Sequence, residues 1–169
     1  MLNGKTLKNS IEHIYKLLTE VPDPEIPVLS VLDLGVIRNV EHENDLVTVT
    51  ITPTYSGCPA MNTFEEDIIS HLKKNGYENV TVETVLSPAW TTDWISQEAR
   101  QKLEDYGIAP PIDGTADKGQ LFYDGPKNVR CPQCKSTNTE LINMTGSTAC
   151  KALYKCKDCL EPFDYFKCI

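Results

Sequence analysis

Two C-x-x-C pairs, Cys131-Pro132-Gln133-Cys134 and Cys156-Lys157-Asp158-Cys159, stand with 21 residues between them, and they restrict the folding of this chain more than any other feature. A two-residue spacer lets both sulfurs of a pair face one ion, and the interval is long enough for a hairpin to carry the second pair back to the first. The pattern predicts a tetrahedral zinc site ligated by Cys131, Cys134, Cys156 and Cys159. Four thiolates leave no open coordination position, so the metal is structural rather than hydrolytic. Around the pairs lie short β-prone pieces, 139–144, 152–154 and 163–166, with too little apolar material for an independent core. A metal supplies what burial cannot, and in zinc-finger peptides its apparent contribution is roughly 10 to 16 kcal/mol at neutral pH. An iron site of the rubredoxin type, two redox disulfides and unligated thiols are the alternatives. Cys150 and Cys168 stay unassigned, as small buried hydrophobes, surplus ligands or a second redox pair.

The chain has seven cysteines, an odd number, and only Cys58 precedes residue 130. That distribution fits metal ligation in a reducing compartment better than a secreted disulfide framework. No apolar run approaches the roughly 20 residues that a membrane span requires, so a soluble cytoplasmic protein is expected. Sixteen basic against 24 acidic residues give a net charge of −8, which disfavours non-specific attraction to nucleic acid or anionic lipid. The lysines of the cysteine-rich tail are interrupted by acids, so protein contact is the expected use of a ribbon here.

Residues 107–128 hold three prolines and four glycines and lack helix or strand periodicity, as a linker would. They separate a domain at 1–106, with net charge −9, from a ribbon at 129–169. In the first domain Leu7, Ile11, Ile14, Tyr15 and Leu18 recur at helical spacing until Pro22, Pro24 and Pro27. Val47, Val49 and Ile51 alternate with threonines after the turn Glu43-Asn44-Asp45, which predicts a hairpin with 36–40. Met61, Phe64, Ile68 and Leu72 line a second helix ending at Asn75-Gly76; Val80, Val82 and Val85 supply a third strand. A last helix is expected from Thr92 or Asp93 to Tyr106, with Trp94, Ile95 and Leu103 covering the sheet. The order describes a small two-layer α+β domain, αββαβα, followed by a C-terminal β zinc ribbon.

Cys58 follows a strand and precedes Pro59, which suits the first position of a helix and makes Cys58 its N-cap. A sulfur there faces unpaired amides, as befits a metal ligand or nucleophile; a packed core cysteine is the other reading. Asp23, Glu25 and Asp33 either form an acidic rim near Cys58 or supply turn and capping bonds. His13, His42 and His71 show no metal-binding spacing and read as surface residues. No phosphate-cradling loop, nucleophile elbow or acid/base pair is visible, so the chain is not expected to be an enzyme.

At Asp23-Pro24-Glu25-Ile26-Pro27, Asp33-Leu34-Gly35 and Ser56-Gly57-Cys58-Pro59 the first domain resembles the SufT-type iron–sulfur assembly domain family. The resemblance implies a compact α+β fold in which the residue matching Cys58 contacts a cluster. Gly146-Ser147-Thr148-Ala149-Cys150-Lys151-Ala152-Leu153 and Glu161-Pro162-Phe163-Asp164-Tyr165-Phe166-Lys167-Cys168 resemble the PaaD (PaaJ) family, proteins associated with phenylacetyl-CoA epoxidase. That second resemblance implies a helper of a multicomponent monooxygenase whose oxygenase carries a di-iron centre and whose reductase carries a flavin and a [2Fe-2S] cluster. This chain has neither ligand set, since both need spacings it lacks. The implied role is assembly or delivery of an iron–sulfur cluster, or iron, to the reductase or oxygenase, with Cys58, Asp23, Glu25 and Asp33 as transfer residues. Cys58 would hold its cargo transiently, paired across a homodimer or with a partner's thiol. A stoichiometric structural subunit, or a thiol oxidoreductase using Cys58, Cys150 and Cys168, are the other readings.

Overall fold

The computed structural model describes residues 10–112 and 128–167. Leu7 of the first helical stripe, residues 113–127 of the linker and Cys168 lie outside the described residues. Contacts divide the chain into two compact units, Met1–Trp90 and Thr91–Ile169.

In the first unit, α1 (Ile11–Leu18) starts at Ser10, whose Oγ accepts from the His13 amide at 3.2 Å and so satisfies one of the open donors of the first turn. It buries Ile14, Leu17 and Leu18. β1 (Ile37–Glu43) and β2 (Leu46–Ile51) form the expected hairpin. Asn44 and Asp45 both take positive φ, 49° and 65°, the tight two-residue turn that matches strand twist and that Asn and Asp tolerate best. Val47, Val49 and Ile51 are fully buried. α2 (Ala60–Lys74) crosses over to β3 (Asn79–Thr84), which runs parallel to β2 with Val80 beside Val47 and Val82 beside Val49. The sheet order is β1-β2-β3. Phe64, Ile68 and Leu72 form the buried face of α2, and α1 packs on α2 and β1. The result is a two-layer α+β unit.

In the second unit a 3-10 turn, Thr92–Trp94, precedes α3 (Gln97–Tyr106) and β4 (Ile108–Ala109). β5 (Thr139–Asn143), β6 (Lys151–Cys156) and β7 (Pro162–Phe166) complete a sheet of order β4-β7-β6-β5. β4 lies parallel to β7 and the other neighbours are antiparallel. Ala109, Val129, Ala152, Tyr154, Phe163 and Tyr165 pack with Cys131 and Cys156 as its core.

Several expectations differ from what is observed. The last helix is interrupted: Ile95 is extended, and Ser96 caps a new helix by accepting from the Ala99 amide at 3.0 Å. α3 then packs on β4 in the second unit, and the buried Arg100 guanidinium donates to the carbonyls of Thr92, at 3.0 Å, and Pro111. Residues 108–109, read as linker, are a strand. Lastly, the histidines are half-buried rather than on the surface. His13 Nδ1 lies 3.0 Å from the Tyr77 hydroxyl, His42 packs edge-on to the Tyr77 ring, and His71 lies 3.4 Å from Glu20. The hydroxyl of the buried Tyr77 takes His13 as its polar neighbour and the Tyr77 ring takes His42, contacts that histidine spacing does not reveal.

Candidate functional site

The four paired cysteines meet. Their sulfurs all lie within 4.8 Å of one another, with Cys131 Sγ 3.8 Å from Cys159 Sγ and Cys134 Sγ 3.5 Å from Cys156 Sγ. Sulfurs bound at about 2.3 Å to one zinc stand about 3.8 Å apart on the edges of a tetrahedron, whereas a disulfide needs about 2.0 Å. The donor set fits a zinc ion. Both pairs close in the same way: the Cys131 amide donates to Ser136 O at 2.8 Å and the Cys156 amide to Glu161 O at 2.9 Å. The residue after each pair, Lys135 and Leu160, has φ 67°. Asp158 locks one pair to the other, accepting from Ser136 Oγ at 2.5 Å and Asn138 Nδ2 at 2.7 Å, and these bonds hold its carboxyl below the usual carboxylate range.

Charge explains why a cation belongs there. The Cys159 amide above all, with that of Asp158 and against the effect of burial, draws the Cys156 thiol down to about 7. The Glu161 amide acts the same way on Cys159, yet burial and the sulfurs of Cys134, Cys156 and Cys131 push it up to about 12. Without a metal the quartet shares out its protons, and a dication lets all four sulfurs ionise together. Cys131 and Cys156 are buried and Cys134 is exposed. α3 is tied to the first pair, for Lys135 Nζ lies 2.8 Å from Glu104 Oε1. Cys150 takes no part in the quartet; it is buried, with its sulfur 3.1 Å from the Thr148 hydroxyl.

Cys58 belongs to the loop between β2 and α2. Gly57 takes φ 90°, a left-handed turn that aims the chain into the helix at Cys58-Pro59. Pro59, not Cys58, occupies the cap position and makes no side-chain capping bond; its fixed φ is already helical, at −67°, which moves the boundary by one residue. Cys58 donates its amide to Tyr55 O and accepts at its carbonyl from the Met61 amide, both at 3.2 Å. It is half-buried, so the thiol is not sealed in the core.

The acidic loop reaches the same end of the sheet. The Thr52 amide, at the start of the Cys58 loop, donates to Val36 O at 2.8 Å, and Ile37 pairs with Ile51. Asp23 Oδ1 accepts from the amides of Glu25 at 2.8 Å and Ile26 at 2.5 Å. Asp33 Oδ2 accepts from the Ser30 amide at 2.9 Å and its hydroxyl at 3.0 Å. Asp23 and Asp33 therefore supply turn and capping bonds. Among the described residues the cysteine quartet is the one group of three or more candidate metal ligands with donor atoms this close, so Asp23, Glu25, Asp33 and Cys58 form no such set. Two supports carry no sequence signal of their own. Trp90 Nε1 donates to Leu34 O at 2.9 Å, across 56 positions, and holds the loop of Asp33 in place; the Asp158 clamp is likewise long-range.

Both parts of the chain have counterparts among known proteins. Residues 117–167 match the family described as PaaD zinc beta ribbon domain, and residues 11–84 match that described as iron-sulfur cluster assembly protein. The chain is 50% identical, over 94% of its length and 93% of the relative's, to an Escherichia coli (strain K12) protein named as one of the subunits of 1,2-phenylacetyl-CoA epoxidase. It is 40% identical, over 60% of its length and 97% of the relative's, to an Fe-S protein maturation auxiliary factor of Porphyromonas gingivalis. A DUF59 domain of unknown function from Bacillus anthracis, solved by crystallography, matches with TM-score 0.52 and 26% identity, covering 60% of this chain and 97% of its own. The chain belongs to the PaaD family, in which an iron–sulfur assembly domain is joined to a structural zinc ribbon.

Proposed function

We propose that this protein carries an iron–sulfur cluster, or iron, to the reductase or oxygenase of a phenylacetyl-CoA epoxidase, with Cys58 contacting the cargo and the ribbon docking the client. The coarser part comes with the family: an accessory, non-catalytic role in iron–sulfur protein maturation within phenylacetate catabolism. The finer part rests on one observation, the setting of Cys58. Cys58 is half-buried at the entrance to α2, and among the described residues it belongs to no compact group of three or more candidate ligands. One sulfur completes too little of an iron coordination sphere to retain the cargo, and weak retention is what transfer requires. Client cysteines then displace Cys58 sulfur by ligand exchange. Asp23, Glu25 and Asp33 shape the loop that borders this approach.

The test is co-expression of the reductase with the Cys58→Ser variant, followed by iron and sulfide analysis of the purified reductase. Cluster occupancy should fall several-fold while the variant keeps its fold and its zinc. Unchanged occupancy would remove Cys58 from the reaction, and fixed-stoichiometry copurification through salt and gel filtration would instead favour a structural subunit.

A further inference from the structure

Open sheet edges attract other strands, because their unpaired amides and carbonyls are a template for pairing; proteins usually blunt them with bulges, charges, proline or shortness. Three of the edges here are blunted. β1 has an irregularity between Ile37 and Asn39 and carries Glu41 and Glu43. β5 is interrupted between Leu141 and Asn143, and β4 has only two residues. β3 is different: six residues in continuous register with β2, without bulge, proline or lysine, at the end of its sheet. Val80 and Val82 are half-exposed, although their neighbours Val47 and Val49 are fully buried. The Val85 amide donates to Ile51 O at 2.8 Å. Alternation along a strand then turns the amides of Val80, Val82 and Thr84 outward.

We infer that β3 is a homodimer interface, pairing antiparallel with β3 of a second copy about a two-fold axis at Thr81. In this register Val80 and Val82 of opposite copies exchange their outward hydrogen bonds and cover each other. Thr81 meets its own equivalent, and Asn79 meets Glu83 of the second copy, an amide donor opposite a carboxylate. No like charges are opposed. Moving the axis to residue 83 would set two carboxylates face to face, so Glu83, the one charge in the strand, selects the register instead of blocking the pairing. The Cys58 loop leaves β2 at the Ile51 end, beside the end where β3 finishes. Antiparallel pairing therefore sends the two Cys58 loops to opposite ends of the joined sheet, and each cysteine works alone.

Sedimentation equilibrium of the full zinc-loaded chain under reducing conditions should show a monomer–dimer equilibrium. Thr81 is exposed, so Thr81→Lys should fold normally and weaken the dimer by about tenfold or more, the effect of roughly 1.4 kcal/mol, while Thr81→Val should preserve it. Hydrogen exchange on the unaltered protein needs no variant: the amides of Val80, Val82 and Thr84 should become protected as concentration rises. A wild-type monomer at all concentrations, a dimer that Thr81→Lys leaves unchanged or strengthens, or outward amides that exchange equally fast at high concentration would each overturn the proposal.

Discussion

At φ 90°, Gly57 holds a conformation that L side chains enter at a cost of about 1–2 kcal/mol, yet nothing lies within 4 Å of where a Cβ would stand. Gly146 has the opposite problem. A Cβ there would come within 2.5 Å of Asp164 Oδ1 and 3.3 Å of the backbone carbons of Ala152 and Lys151, displacing a carboxylate that accepts from Ser147 Oγ at 2.8 Å. Gly57→Ala should therefore lower unfolding free energy by about 1–2 kcal/mol through backbone strain alone, and Gly146→Ala should cost more; denaturant titration of each variant measures the difference. Asp158 adds a pH dependence. Its folded pKa is depressed by Ser136 and then Asn138, so its contribution is present above the ordinary carboxylate range and is lost as pH falls through the depressed value. Acid titration should show that loss, and Asp158→Asn should flatten it. The four ligands themselves were legible in the sequence because a C-x-x-C turn is local. The Asp158 clamp was not, since its partners are 20 and 22 positions away.

Elements were legible wherever a local pattern and a local turn agreed. Alternating valines and the Asn44-Asp45 turn announced the β1–β2 hairpin, and a stripe of Phe64, Ile68 and Leu72 announced α2. The allegiance of α3 was hidden because Ala99 and Leu103 are its only buried apolar residues, too narrow a stripe to say which sheet it covers. Two-residue β4 is set by pairing with Asp164 and Tyr165, and such distant pairing leaves no period to read. β3 was visible as a strand, but its position at an edge is a property of the sheet, decided by the parallel crossover through α2.

For the whole molecule, the two units draw stability from different sources: the first from a layered apolar core, the second from a small core joined to the cysteine quartet. Strong chelation of the zinc-loaded chain should abolish one thermal unfolding transition and spare the other, with exchange protection retained in α1, α2 and β1–β3; calorimetry with and without chelator checks this. No helix among the described residues is long and apolar enough to cross a membrane. The border between the units falls at Trp90 and Thr91, and the chain has two tryptophans. Trp90, buried and bonded to Leu34, belongs to the first unit, while Trp94 lies in the opening turn of the second. Each half of the protein thus contains its own tryptophan, and with Trp94→Phe the remaining indole emission, excited beyond the tyrosine absorption band, would come from the Cys58-bearing half alone.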